Sequence, residues 1–197
     1  MSDKKTWQKP VITLHRVGLS NKFGSARFQH FIGDVDGISI ADLVKTHGSP
    51  LFVLSEQRLR ENARRMRRAF AARYPQVRFG WSYKTNYLDA VCAVMHQEGS
   101  WAEVVSEFEY RKARRLGVPG NRIIFNGPHK TREALELAVS EGATINIDHL
   151  DELYMLESVA REANRRVPVG LRLNFDTGFA EVWSRFGFNL ESGQAMD

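Results

Sequence analysis

A chain of 197 residues, 43% hydrophobic and 26% charged, has the composition of a globular protein with a core, which excludes an intrinsically disordered chain. The single cysteine, Cys92, excludes an internal disulfide and suits a reducing cytoplasm. No apolar run reaches the length of a membrane span, and the charged start Met1-Ser2-Asp3-Lys4-Lys5 lacks the apolar stretch of a signal peptide, so no membrane partner is expected.

In chain order, residues 1–36 show no clear periodicity and read as a lead-in that packs on something else. A short helix follows at Ile40–Thr46, then a turn at Gly48-Ser49-Pro50, a strand at Leu51–Leu54, and a helix N-capped by Ser55. The net charge of +5 raises the question of a polyanionic partner, because Arg58, Arg60, Arg64, Arg65, Arg67, Arg68 and Arg73 crowd into this helix. The stripe Leu59, Ala63, Met66, Phe70 makes them the solvated side of an amphipathic helix, and no nucleic-acid recognition motif accompanies them. Nucleic-acid binding is not expected.

Beyond the arginines, short apolar runs alternate with helical periods. Five strands are expected, at Val77–Tyr83, Trp101–Val105, Arg122–Asn126, Thr144–Ile147 and Val169–Asn174. The repeat, roughly 20 to 25 residues, is that of a βα unit in a parallel sheet. Helices are expected after Thr131 and after Asp148, and Gly117, Gly120 and Gly142 fall where helices stop. A doubly wound sheet announces its nucleotide site with a glycine-rich first turn. Here the first such strand is followed by Lys84-Thr85-Asn86-Tyr87, so an α/β barrel of the (β/α)8 type is the better reading.

Polar residues gather at the C-terminal ends of these strands, where barrel active sites are built. They are Lys84 with Asn86, Glu103 and Ser106 with Glu107 and Glu109, Asn126 with His129 and Lys130, Asp148 with His149, and Arg172 with Asn174. Ser106 and Asp148 also read as plain N-caps. Lys84 closes the strand of Val77, Phe79, Trp81 and Tyr83, where its ammonium would be partly desolvated. An amine held this way loses its proton more readily, and the neutral amine attacks a carbonyl to form an imine. The alternative at this point is that the amine reaches solvent or pairs with Glu103.

Trp81-Ser82-Tyr83-Lys84-Thr85-Asn86 resembles the Tyr-Ala-x-Lys-Ala-Asn motif of fold-type III pyridoxal-phosphate enzymes, the ornithine, diaminopimelate and arginine decarboxylases with their relative alanine racemase. Further similarities follow in order. Gly48-Ser49-Pro50-Leu51-Phe52-Val53-Leu54 and Leu59-Arg60-Glu61-Asn62 are similar to the family's first strand and helix, Val104-Val105-Ser106-Glu107-Phe108-Glu109 to its next motif, and Ile123–Lys130 to the one after. Asn146-Ile147-Asp148-His149, Leu171-Arg172-Leu173-Asn174 and Ser184-Arg185-Phe186-Gly187-Phe188 complete the series, which spans residues 38 to 188 and looks most like diaminopimelate decarboxylase.

The resemblance implies an alanine racemase-like barrel, incomplete at about five of eight strands, with residues 37–197 forming the N-terminal part of the pyridoxal-phosphate-binding domain. It implies a decarboxylase of amino-acid metabolism, in lysine biosynthesis if the substrate is diaminopimelate, that works on a small-molecule amino acid as a homodimer when full length. Lys84 would form the internal aldimine with pyridoxal 5'-phosphate and act as the catalytic residue. Glu103, Ser106 and Arg172 would join it in binding the cofactor. An amino-acid racemase on the same barrel and a truncated, non-catalytic binding module are the alternatives.

The chain departs from the family at Trp81-Ser82, at Phe108, which replaces a glycine, and at Arg185, which replaces a lysine. The family's later strands, its phosphate loop and its β-domain have no counterpart here. The chain is therefore expected to be an N-terminal fragment, inactive alone, whose lead-in would pack on the missing β-domain.

Overall fold

A computed structural model describes residues 19–21, 24–26, 33–178 and 185–196. The chain divides into two compact units, Met1–Val53 and Leu54–Asp197. The lead-in expected over residues 1–36 lies largely outside the described residues. Its described part is the antiparallel pair β1 (Leu19–Asn21) and β2 (Gly24–Ala26) and the first strand of a second hairpin, β3 (Asp34–Val35) with β4 (Ile38–Ser39). Asp36 and Gly37 both take positive φ in that turn, and the Asp34 carboxylate accepts the Gly37 N–H, as two-residue hairpins require. Helix α1 (Ile40–His47) follows, and Gly48 at φ 83° ends it. The strand expected at Leu51–Leu54 does not form; these residues are irregular and pair with no described strand.

The second unit begins with α2 (Glu56–Ala71), whose Ser55 Oγ accepts the Arg58 N–H at 3.0 Å, the N-cap the sequence predicts. The chain then alternates strand and helix: β5 (Gly80–Ser82), α3 (Asp89–Gln97), β6 (Trp101–Val104), α4 (Glu107–Arg115), β7 (Ile123–Phe125), α5 (Arg132–Glu141), β8 (Thr144–Ile147), α6 (Leu150–Glu162) and β9 (Val169–Leu171). The five strands form one parallel sheet in sequential order β5-β6-β7-β8-β9. Sequential parallel order with a helix in each crossover is the build of a (β/α)8 barrel wall, since a doubly wound sheet reverses its order at a switch point.

Three details differ from expectation. The ladder of the first strand starts only at Phe79, whose carbonyl accepts the Trp101 N–H at 2.7 Å, so Val77 and Arg78 stay outside it. The last strand breaks at Arg172 and resumes as β10 (Leu173–Asn174), which pairs in parallel with β11 (Phe188–Asn189) in a two-stranded sheet of its own. Gly120 opens a 3-10 turn rather than closing a helix, whereas Gly117 and Gly142 do stand at helix C-termini with positive φ.

Alternation within the strands sorts the residues by face. Ala102, Val104, Ile123, Phe125, Ile145 and Ile147 turn toward the helices and are completely buried against Tyr110 and Ala113 of α4, Leu135 and Ala138 of α5, and Leu156 and Val159 of α6. Burying each large side chain contributes roughly 1.5–3 kcal/mol, and this layer is the core. On β9 the equivalent Val169 and Leu171 are 41% and 52% exposed. The opposite face, the barrel interior, carries Glu103, Asn126, Asn146 and Arg172, which converge on one cleft at the C-terminal ends of the strands.

Candidate active site

Lys84 stands on the turn that ends β5. The Ser82 carbonyl accepts the Thr85 N–H at 3.1 Å and the Asn86 N–H at 3.3 Å. The Trp81 indole N–H donates to the Asn86 carbonyl at 3.0 Å, and the Asn86 side chain accepts the Leu88 N–H at the start of α3. Trp81, a departure from the family motif, thus clamps the loop that carries the lysine. On the helix side Tyr83 is fully buried, its hydroxyl 2.8 Å from His96 Nε2, while His96 Nδ1 lies 2.9 Å from the Ser100 carbonyl. A carbonyl only accepts, so Nδ1 carries the proton and the Tyr83 hydroxyl donates to Nε2. Burial pushes the Tyr83 pKa up and pulls that of His96 down, which keeps both neutral. With Tyr83 locked on one face, Lys84 projects from the other.

The Lys84 side chain is exposed and lines the cleft; the desolvation expected at this position is not found. It makes no hydrogen bond or ion pair with a described residue, and Glu109 lies close enough for its charge to be felt. The cleft has a volume of about 530 Å³ and is lined by Lys84, Glu103, Asn126, Asn146, Asp148 and Arg172, with the backbone of Gly127 and the ring of Phe186. That volume is within the range of small-molecule sites, about 300–1,000 Å³.

A polar chain crosses its floor. Asn146 Nδ2 donates to Asn126 Oδ1 at 2.5 Å, and Asn126 Nδ2 donates to Glu103 Oε1 at 2.7 Å. A carboxylate oxygen accepts, so the chain has one direction and both amide orientations follow from it. Gly170 makes room for it: a Cβ there would run into Asn146 Oδ1. Gly127, at φ 97°, has its backbone against the Val105 carbonyl, where no side chain fits. At the far wall Arg172 donates to Asp148 Oδ1 at 2.8 Å, and its guanidinium sits 4.8 Å from the centre of the Phe186 ring. Asp148 is 5% exposed and Arg172 45%, so the guanidinium is anchored at one side and open to the cleft at the other.

Two helices that begin at this rim share a capping device. Ser106 Oγ accepts the Glu109 N–H at 3.3 Å, and Glu109 Oε2 accepts the Val105 N–H at 2.8 Å. His149 Nδ1 accepts the Glu152 N–H at 3.3 Å, and Glu152 Oε2 accepts the Asp148 N–H at 2.8 Å. The N-cap of α6 is therefore His149, not Asp148 as expected, which leaves the Asp148 carboxylate free for Arg172. Burial raises the Glu109 pKa, opposed by the Val105 N–H that its carboxylate accepts.

Of the four site residues named from the sequence, Lys84, Glu103 and Arg172 meet in the cleft. Ser106 does not line it and serves as the α4 cap. Phe108 also stays outside the cleft and packs edge-on against Tyr87 at 6.3 Å. Asn126 and Asp148 belong to the expected rim group, Asp148 as an N-cap; Asn146 enters only within a motif, because a mid-strand asparagine carries no signal of its own. Ser184 of the family signature lies outside the described residues, while Gly187 at φ 82° sits against the Arg172 carbonyl, which accepts the Phe188 N–H at 2.8 Å. The arginine-rich helix is only partly a solvated face: Arg60 and Arg64 hydrogen-bond the Glu98 carboxylate and Arg67 its carbonyl.

A sequential parallel barrel wall, with Lys84 at the end of its first strand and Arg172, held by Asp148, after its fifth, defines the class: an α/β barrel whose polar cleft lies at the strand ends, where such barrels carry their sites. The comparisons agree. Residues 56–196 match the family model described as "Pyridoxal-dependent decarboxylase, pyridoxal binding domain", and the chain belongs to that family. It is 34% identical over 144 residues to the diaminopimelate decarboxylase of Methanothermobacter thermautotrophicus, covering 73% of this chain and 31% of that protein. The crystal structure of the M. jannaschii diaminopimelate decarboxylase in complex with L-lysine superposes with a TM-score of 0.72 at 27% identity, over 83% of this chain and 41% of that one. The lysine/ornithine decarboxylase of Vibrio vulnificus, at 22% identity and a TM-score of 0.60, shares the fold. The chain thus spans about a third of the length of such curated relatives. Pyridoxal phosphate is the cofactor that this family implies. The cleft fits it in chemistry, with an amine that pairs with no described residue for its aldehyde, an anchored guanidinium, an acid held by an amide, and sufficient volume. No helix among the described residues is long and apolar enough to cross a membrane.

Proposed function

We propose that this chain forms the lysine-bearing wall of a pyridoxal-phosphate-dependent amino-acid decarboxylase, with a diamino acid such as diaminopimelate as substrate. The observation that carries the reading is the cleft itself, in which Lys84, Glu103 and Arg172 converge from the ends of three strands. The relatives' names supply the substrate class. When bound, the cofactor supplies an electron sink for the carbanion left at Cα as CO2 departs.

The chain's own residues hold, orient and move protons. Lys84 is exposed and makes no hydrogen bond or ion pair with a described residue, so its amine would be the group that holds the cofactor's aldehyde end, and it could carry a proton to or from the substrate Cα. Glu103 receives the Asn126 amide on one oxygen, and its second oxygen can accept from a polar group entering the cleft. Arg172 keeps N–H donors for an anionic oxygen while Asp148 holds its plane; a planar fork suits that task better than a lysine. Assembly as a homodimer and a cytoplasmic setting, in which Cys92, buried and without a disulfide, stays reduced, belong to the same proposal.

The test is to load the full-length protein with pyridoxal phosphate, reduce with borohydride and map the pyridoxyl mass by peptide sequencing. Label at Lys84, absent from Lys84→Ala, is the expected result; label elsewhere, or none, overturns the assignment. Release of CO2 from meso-diaminopimelate, ornithine or arginine is expected as the reaction, whereas epimerised alanine without CO2 would replace decarboxylation by racemisation.

A further inference from the structure

Behind the cleft lies a second lysine, completely shielded from water and outside the chemistry assigned above. Lys130, in the loop after β7, donates from Nζ to the Gly127 carbonyl at 2.8 Å, the Asn146 carbonyl at 2.8 Å and Glu152 Oε1 at 2.5 Å. The side chains of Lys130 and Glu152 are 0% and 2% exposed, and the Phe125 ring closes the pocket at 5.5 Å. Burial pulls the Lys130 pKa below the usual lysine value, with Glu152 opposing it. That is an amine of the kind that attacks carbonyls, yet all three of its N–H bonds are taken up, so it is not available as a nucleophile.

Its partners give it a different task. Gly127 and Asn146 both line the cleft. The side chain of Asn146 starts the amide chain to Asn126 and Glu103. The other oxygen of Glu152 accepts the Asp148 N–H, and Asp148 holds Arg172. Through the hydrogen bonds from Lys130 to the Asn146 carbonyl and from the Asp148 N–H to Glu152, one buried ion pair therefore reaches both the residues that orient Glu103 and the residue that orients Arg172. A buried pair is a poor source of net stability, since apolar residues of similar volume often do as well; groups that hold a site to a fraction of an ångström are a different matter.

We propose that Lys130 and Glu152 are positioning residues that set the geometry of the cleft floor for the cofactor and substrate. The proposal rests on the cofactor reading above, but its test does not depend on it entirely. In the whole protein the double variant Lys130→Met/Glu152→Leu removes the pair while filling its volume, and Glu152→Gln serves as a milder second variant. Thermal melting establishes that each is folded.

In the cofactor-free state, NMR is expected to show the side-chain amide signals of Asn126 and Asn146 shifted and the Asp148 N–H exchanging faster. With pyridoxal phosphate added, borohydride is still expected to label Lys84, while the cofactor binds about tenfold or more weakly, by analogy with outer-shell groups at metal sites, and loses its induced circular dichroism. A folded double variant with unshifted amides, wild-type affinity and unchanged dichroism would reduce the pair to a structural element and overturn the proposal. Failure of the wild type to bind the cofactor, with the amides still shifted in the variants, would overturn the cofactor reading and leave the positioning role standing. Label on Lys130 would overturn both.

Discussion

At the residue scale, the cleft depends on small groups as much as on charged ones. Gly170 sits on β9 directly over Asn146, in a backbone conformation open to any residue, so only space forbids a side chain. Gly170→Ala is expected to push Asn146 away from Asn126, cost roughly 1–3 kcal/mol of overpacking in urea denaturation and reduce the borohydride label at Lys84. An alanine variant of wild-type stability and labelling would show that Asn146 can move without consequence. This contact was not legible in the sequence, because Gly170 and Asn146 are neighbours only through strand register. Lys84 was legible, since it ends an apolar run within a recognisable motif. Its exposure was not, because solvation depends on what covers the strand end.

At the element scale, arginines of α2 tie that helix to Glu98, the residue that caps α3. No α2 residue is fully buried, whereas the Glu98 side chain is 9% exposed and receives Arg60 at 3.0 Å and Arg64 at 2.7 Å. Hydrogen bonds from Arg64 and then Arg60 hold the Glu98 carboxyl down to about 2, from an ordinary value of 4.5. A carboxyl with a depressed folded-state pKa binds fewer protons folded than unfolded, so its contribution is complete above pH 4.5 and is lost as the pH falls toward 2. Urea midpoints between those limits are expected to fall more steeply with acid in the wild type than in Glu98→Gln. Parallel slopes would assign the contact no role in stability. An arginine run reads as a wet surface from sequence alone because Glu98, the acid that Arg60 and Arg64 share, lies 38 and 34 residues away from them.

At the scale of the whole molecule, ligand binding and folding are linked. Pyridoxal phosphate that binds only the folded chain raises its stability by about 2.7 kcal/mol at a hundred times its dissociation constant. The wild type is expected to melt higher in the presence of the cofactor, and Lys84→Ala to gain less. An equal gain in both would place the bound cofactor away from Lys84. The open side of the sheet belongs to this scale too. Val169 and Leu171 face outward on β9 with no described helix over them, while the equivalent positions on β7 and β8 are sealed. The relatives are more than twice as long as the part this chain matches.

By itself the sequence determined the order of the strands, the parallel sheet with a helix in each crossover, the polar rim and the lysine on it, because each rests on local periodicity or on a motif a few residues long. The tertiary structure alone decided that Leu51–Leu54 forms no strand, that His149 rather than Asp148 caps α6, that Ser106 faces a helix instead of the cleft, and that Lys130 is locked to Glu152. The cap of α6 and the Lys130–Glu152 pair depend on which groups from distant segments compete for the same hydrogen bond, as when Arg172 takes the Asp148 carboxylate. That competition is settled only when the strands are in register and the loops above them share one volume.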